Sequence, residues 1–168
     1  MTMDWTNVRN LGPKEIMAAL PHRYPFLLVD RILGVTLGEN QSRVGTIVKA
    51  MKNVTFNEMQ FMGHFPENPI FPGVLTLEAI AQAGAFAAFP FVAMENGGKL
   101  PAVQLALAGF DGVRFRRPIV PGDRMDITIE VKGNRGPLWT LMGVVDVDGK
   151  RAAEADIMAI LSVVGEKK

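Results

Sequence analysis

The sequence predicts an α+β fold in which a curved antiparallel sheet wraps one long buried central helix. Three observations lead there. Residues 73–89 carry a single ionisable group, Glu78, so a helix built from them is apolar nearly all round and must be buried. Met125, Ile127, Ile129 and Val131 alternate with Asp126, Thr128, Glu130 and Lys132, the period-two pattern of a strand with one buried face. Asp148-Gly149 falls between two apolar runs, which marks a hairpin. Strands that flank one apolar helix bury both apolar faces by curling around it.

In chain order, residues 13–20 read as a short helix. Pro13 stands near its first position, Pro21 ends it, and Ile16, Met17 and Leu20 form its apolar side. Residues 26–33 and 43–51 read as strands, with a turn over 34–40. Pro66, Pro69, Pro72, Gly63 and Gly73 stiffen residues 61–73 into a loop that feeds the central helix. Pro72 suits a helix start, and Gly73 permits close approach of a ligand or another backbone. After the helix, Glu95-Asn96-Gly97-Gly98-Lys99 is a hinge. Residues 102–115 form one long strand, with bends near Gly109 and Gly112. Further strands follow over 125–132, 138–147 and 153–163. No repeat or low-complexity segment interrupts the pattern, and 168 residues suffice for one domain spanning 1–168.

The composition narrows the function. A net charge of +1 gives no bulk attraction to nucleic acid. With no cysteine there is no disulfide or thiolate chemistry, in keeping with a reducing cytoplasm, and two histidines without cysteine make a transition-metal site unexpected. No cofactor is called for. The N-terminus, Met1-Thr2-Met3-Asp4-Trp5, lacks a basic segment followed by an apolar one, so no signal peptide is expected. The central helix, rich in Ala and Gly, reads as too short for a membrane span.

Glu78 is the sharpest chemical signal. Stripping water from a lone carboxylate is costly and pushes its pKa up, which suits a general acid. The alternative is a carboxylate neutralised by a structural Arg or a backbone cap. His64 lies on the stiff loop that feeds the helix, so a His–Glu acid–base pair is expected. The helix N-terminal amides stand ready to polarise a carbonyl oxygen. Gln82, four residues after Glu78, shares its face and can fix its rotamer.

Several long motifs, in order, carry a resemblance: Leu20-Pro21-His22-Arg23-Tyr24-Pro25-Phe26-Leu27-Leu28-Val29-Asp30-Arg31, Gly63-His64-Phe65-Pro66, Pro69-Ile70-Phe71-Pro72-Gly73-Val74, Leu77-Glu78-Ala79-Ile80-Ala81-Gln82, and Phe115-Arg116-Arg117-Pro118 with Pro121-Gly122-Asp123. Over about residues 13–163 the chain resembles the beta-hydroxyacyl-acyl-carrier-protein dehydratases of type II fatty-acid synthesis. The resemblance implies the hot-dog fold and dehydration of a (3R)-hydroxyacyl thioester to the trans-2-enoyl product. It implies His64 as the base at the carbon alpha to the thioester and Glu78 as the acid at the hydroxyl. The Gly73 amide would support the thioester oxygen, with Phe71, Pro72 and Gln82 on the substrate-binding side. It further implies a homodimer or trimer of dimers, each site taking His and Glu from different subunits. Relatives that also isomerise the double bond carry Asp at the acid position, so Glu78 favours the dehydratase-only branch.

Other residues have two readings each. Arg114, Arg116, Arg117 and Arg124 form either a solvated strand face or a docking patch for acyl carrier protein. Phe86, Phe89, Phe91 and Met94 line an acyl tunnel or pack the core. Gly84 makes room for an acyl chain or for a neighbouring strand. His22 reads as a packed or capping imidazole, remote from the helix in sequence. Around Gln104-Leu105-Ala106-Leu107 the aromatic gate of some relatives is absent. The rival functions are a hot-dog thioesterase or coenzyme A hydratase, and a non-catalytic acyl-binding protein.

Overall fold

A computed structural model of the chain describes residues 3–164. Seven antiparallel strands form one sheet: β1 (Arg9–Leu11), β2 (Arg31–Thr36), β3 (Ile47–Asn53), β4 (Val103–Phe115), β5 (Arg124–Arg135), β6 (Leu138–Val147) and β7 (Lys150–Val163). Their spatial order is β1-β2-β3-β5-β6-β7-β4. A short helix α1 (Pro13–Ala19) follows β1, while α2 (Gly73–Ala85) and α3 (Phe89–Glu95) lie between β3 and β4.

The alternating run in β5 behaves as its period demands. Met125, Ile127, Ile129 and Val131 are all buried, facing the helix. Helix and sheet approach closely at two glycines. A Cβ on Gly143 of β6 would meet Ile80 Cγ2 at 2.1 Å, and one on Gly84 of α2 would meet Leu141 Cδ1 at 2.9 Å. Gly84 therefore makes room for the strand β6. The loss of helix propensity, about 1 kcal/mol against Ala, is offset by close packing on the sheet.

The central helical segment runs over Gly73–Glu95 and changes its winding at residues 86–88. Phe86, Ala87 and Ala88 donate to the carbonyls of Ala83, Gly84 and Ala85, three residues back. Pro90 explains this, for it has no N–H to donate to the Phe86 carbonyl and cannot continue an uninterrupted α-helix. At 23 residues the segment is long and apolar enough to cross a membrane, contrary to the sequence reading, yet 78% of its apolar window is buried inside this fold. Phe86 and Phe89 are fully buried and Phe91 is 6% exposed, and all three rings pack in the core.

The N-terminal strands differ most from expectation. β2 starts at Arg31, not at 26, because the backbone of 26–28 bonds locally and to a side chain rather than to a strand: Phe26 and Leu27 N–H both donate to the Arg23 carbonyl. Leu28 N–H donates to Gln82 Oε1 (2.9 Å) and Gln82 Nε2 donates to the Phe26 carbonyl (2.8 Å). β3 starts at Ile47, not at 43, because buried Thr46 closes a turn: its Oγ1 donates to the Ser42 carbonyl and accepts from Gly38 N–H. β1 was not predicted; three residues are too few to show a period. Trp5 packs edge-on against Phe89, their ring centroids 6.2 Å apart. β4 bends at the two places expected, with register shifts between Leu107 and Gly109 and between Asp111 and Arg114. It pairs only with β7 among the described residues, leaving its other edge open.

Candidate active site

His64 is held by its own loop. Its backbone N–H donates to the Gln60 carbonyl (2.9 Å), and its carbonyl accepts from Ile70 N–H (3.0 Å). The ring Nδ1 lies 2.7 Å from the Ile70 carbonyl. A carbonyl only accepts, so Nδ1 carries a proton, and in the neutral ring it is Nε2 that holds the lone pair. The imidazole is thereby set up as a base. Phe71 N–H donates to the Ile119 carbonyl (2.7 Å), pinning the loop's exit to the start of α2.

His64, Phe71, Pro72 and Gly73 share a cavity of about 600 Å³ with Phe115 and Arg117. Pro72 is the N-cap residue rather than the first helical one, and it offers no side-chain cap. The Gly73 N–H has no acceptor among the described residues, and it points out of the helix start with the positive end of the helix dipole. Gly73 has a steric reason too: a Cβ there would sit 2.8 Å from the Phe115 ring. The close approach expected at this glycine is made by an aromatic side chain.

Glu78 lies elsewhere. It lines a second cavity of about 560 Å³ with His22, Gln82, Leu105, Trp139 and Leu141. An α-helix turns about 100° per residue, so Glu78 sits about 140° around and roughly 7.5 Å along α2 from Gly73. One chain therefore does not bring His64 and Glu78 into one cavity, contrary to the simplest sequence reading. The carboxylate is not sealed from water either, being 22% exposed. Its Oε1 accepts from Gln82 Nε2 at 2.8 Å. Because Gln82 Oε1 accepts from Leu28 N–H, the amide orientation is fixed and its NH₂ faces Glu78. The predicted rotamer lock is present, and it is the same side chain that holds residues 26–28. Gln104, Leu105 and Leu107 line this cavity, at the segment that lacks an aromatic gate.

His22 is the residue that sequence reasoning missed. Its Nε2 lies 3.4 Å from Glu78 Oε1, so it is part of the site rather than remote packing. Its place in the motif at residues 20–31, whose next turn is tied to Gln82, is the signal that could have found it. The arginines divide. Arg116 pairs with Glu154, Arg124 with Asp126, and Arg117 approaches Asp123 at 3.9 Å. The Arg116 guanidinium holds the Glu154 carboxyl below the usual carboxylate range. Arg114 bonds only the Val113 carbonyl and has no acidic partner among the described residues.

A family model described as FabA-like domain matches residues 20–156. The 3-hydroxyacyl-[acyl-carrier-protein] dehydratase FabZ of Myxococcus xanthus is 47% identical over 145 residues, spanning 86% of this chain and 88% of that protein. The protein of the same name from Tolumonas auensis is 42% identical, over 90% of this chain and 95% of its own length. Among solved structures, the dehydratase heterocomplex ApeI:P from Xenorhabdus doucetiae superposes with a TM-score of 0.67 at 17% identity, covering 90% of this chain and 93% of that one. A hot-dog-like protein from Thermanaerovibrio acidaminovorans gives 0.54 at 17% identity, over 72% and 84%. At such low identity these structures speak to the fold alone, and the fold is the hot-dog fold that the motifs led us to expect.

Proposed function

The chain belongs to the FabA-like domain family, and on that premise we propose that it is a (3R)-hydroxyacyl-[acyl-carrier-protein] dehydratase, acting as one domain in the cytoplasm. The observation that carries this reading is the His64 ring, whose Nδ1 donates to Ile70 O and which lines the same cavity as Gly73. Nε2 takes the proton from the carbon alpha to the thioester. Negative charge then grows on the thioester oxygen, where the Gly73 N–H and the helix N-terminus stabilise it. Phe71 and Pro72 shape the wall of the same cavity.

The hydroxyl leaves with a proton from Glu78 of a second copy of the chain, giving water and the trans-2-enoyl thioester. His64 is then protonated and Glu78 ionised, and exchange with water resets both. A composite site of this kind, in a dimer or trimer of dimers, is supported by the separation of His64 and Glu78 within one chain. It is also supported by the open edge of β4 and by Met62, Phe65 and Val74, which are 79%, 49% and 72% exposed near His64. Arg114 is the arginine best disposed to meet an acidic carrier protein, with Arg116, Arg117 and Arg124 at the margin.

The test is incubation with a (3R)-hydroxyacyl-acyl-carrier-protein, followed by mass spectrometry. Loss of one water with the acyl chain still attached is the expected result. Release of the acyl chain would mean a thioesterase, and an unchanged substrate at every chain length tried would mean a binding protein.

A further inference from the structure

We propose that His22 is a positioning residue for Glu78: a neutral imidazole that donates from Nε2 to Oε1 and leaves Oε2 as the oxygen that transfers the proton. The role rests on the dehydratase reading; the placement of the ring does not.

The bonding around the carboxyl leads to this assignment. Oε1 has two nitrogen neighbours, Gln82 Nε2 at 2.8 Å and His22 Nε2 at 3.4 Å. The first can only donate, because its amide orientation is fixed by Leu28 and Phe26. The second lies near Oε1 without a formed hydrogen bond, and it closes on that oxygen as a donor when the carboxyl carries its proton on Oε2, since Oε1 then only accepts. His22 therefore carries hydrogen on Nε2. Its Nδ1 is buried and has no hydrogen-bond partner. Protonating Nδ1 too would bury a donor with nothing to accept it, which costs more than leaving a bare lone pair there. The ring is thus kept neutral, in the tautomer opposite to that of His64.

Oε2, by contrast, has no protein partner among the described residues and belongs to a carboxyl that lines the cavity. Two N–H donors on Oε1 stabilise the carboxylate left after proton transfer and keep the proton off that oxygen. The long distance to His22 is of the kind that shortens when charge develops, as catalytic contacts in unliganded sites often do. His22 is itself held by stacking on Phe26, with centroids 6.2 Å apart, and Phe26 is tied through its carbonyl to Gln82. One buried amide thus sets both donors.

Two measurements test this. The chain has only two histidines, so nitrogen-15 NMR of the tag-free protein at neutral pH resolves both rings. Expected are His22 protonated on Nε2 alone and His64 on Nδ1 alone. A His22 ring carrying its proton on Nδ1, or on both nitrogens, would overturn the proposal whether or not the protein is a dehydratase. The second measurement is steady-state kinetics on the hydroxyacyl thioester; an inactive wild type would refute the dehydratase reading instead. His22→Phe, which keeps the ring shape without a donor, is expected to lower kcat about tenfold with little change in KM or melting temperature. His22→Gln, which restores a neutral N–H, is expected to stay within about fivefold of wild type. Wild-type kcat in the Phe variant, or a Gln variant no better than a folded Phe variant, would sink the role. If the Phe variant does not fold, the Gln variant decides alone, a loss beyond that fivefold counting against it.

Discussion

Replacing Gln82 by methionine keeps the length of the side chain and removes every hydrogen bond it makes. Gln82 is 2% exposed, so water does not step in. The Leu28 N–H loses its only acceptor inside the core, the Phe26 carbonyl loses a donor, and Glu78 loses its 2.8 Å partner. An orphaned buried amide costs about 1–3 kcal/mol and a lost neutral hydrogen bond about 1 kcal/mol, so the total is roughly 3 kcal/mol after methionine recovers some apolar contact. For a chain of this length, each kcal/mol moves the midpoint by about 2–4 °C, giving a drop of roughly 6–12 °C. Melting followed by circular dichroism reads the stability. Steady-state turnover reads the freed Glu78 rotamer, with kcat falling at least about tenfold. A Gln82→Met protein that melts within ~2 °C of wild type would refute the view that this amide replaces a strand partner for residues 26–28.

Three further perturbations probe the scaffold. Lys52 is 4% exposed, pairs with Glu58 at 2.8 Å and lies over the Phe71 ring at 5.3 Å; Lys52→Met should cost about 3 kcal/mol in urea unfolding by leaving Glu58 uncompensated, and adding Glu58→Leu should restore most of it. Gly143→Ala drives a methyl into Ile80 and should cost about 1–3 kcal/mol, whereas the same change in an Ile80→Ala background should cost measurably less. Glu154, whose folded pKa is lowered chiefly by the hydrogen bond from Arg116, contributes stability above its unfolded pKa that is lost as pH falls through the folded value. Glu154→Gln should therefore melt below wild type at neutral pH, and the two curves should converge only once the pH has fallen below the lowered folded value.

The parts of the fold that could be read from the chain are those whose period is imposed by one buried face. β5 shows this through Met125 to Val131, and β6 shows it through a run that begins at Leu138 and ends at the Asp148-Gly149 turn, where both residues take positive φ. Residues 26–28 looked like strand because they are apolar, yet Phe26 and Leu27 N–H turn back to the Arg23 carbonyl and Leu28 N–H goes to a glutamine 54 residues away. Only the tertiary structure reveals that partner. His64 and Glu78 stood out as isolated polar groups in apolar or proline-stiffened surroundings, a signal that survives without coordinates. Their separation into two cavities did not, because it depends on the angle between Gly73 and Glu78 around one helix and on how the sheet divides the space beside it. His22 reads from sequence as a packed imidazole for a similar reason: nothing local in Pro21-His22-Arg23 points at a carboxylate 56 positions later.

The most direct test of the central claim is to co-express His64→Ala and Glu78→Gln chains with different tags and purify the mixed assemblies. If each site takes its base from one copy and its acid from the other, a mixed dimer keeps one intact site of two, and about half of wild-type turnover should return while both parent variants stay inactive. Mixed assemblies as inactive as their parents would contradict the shared site.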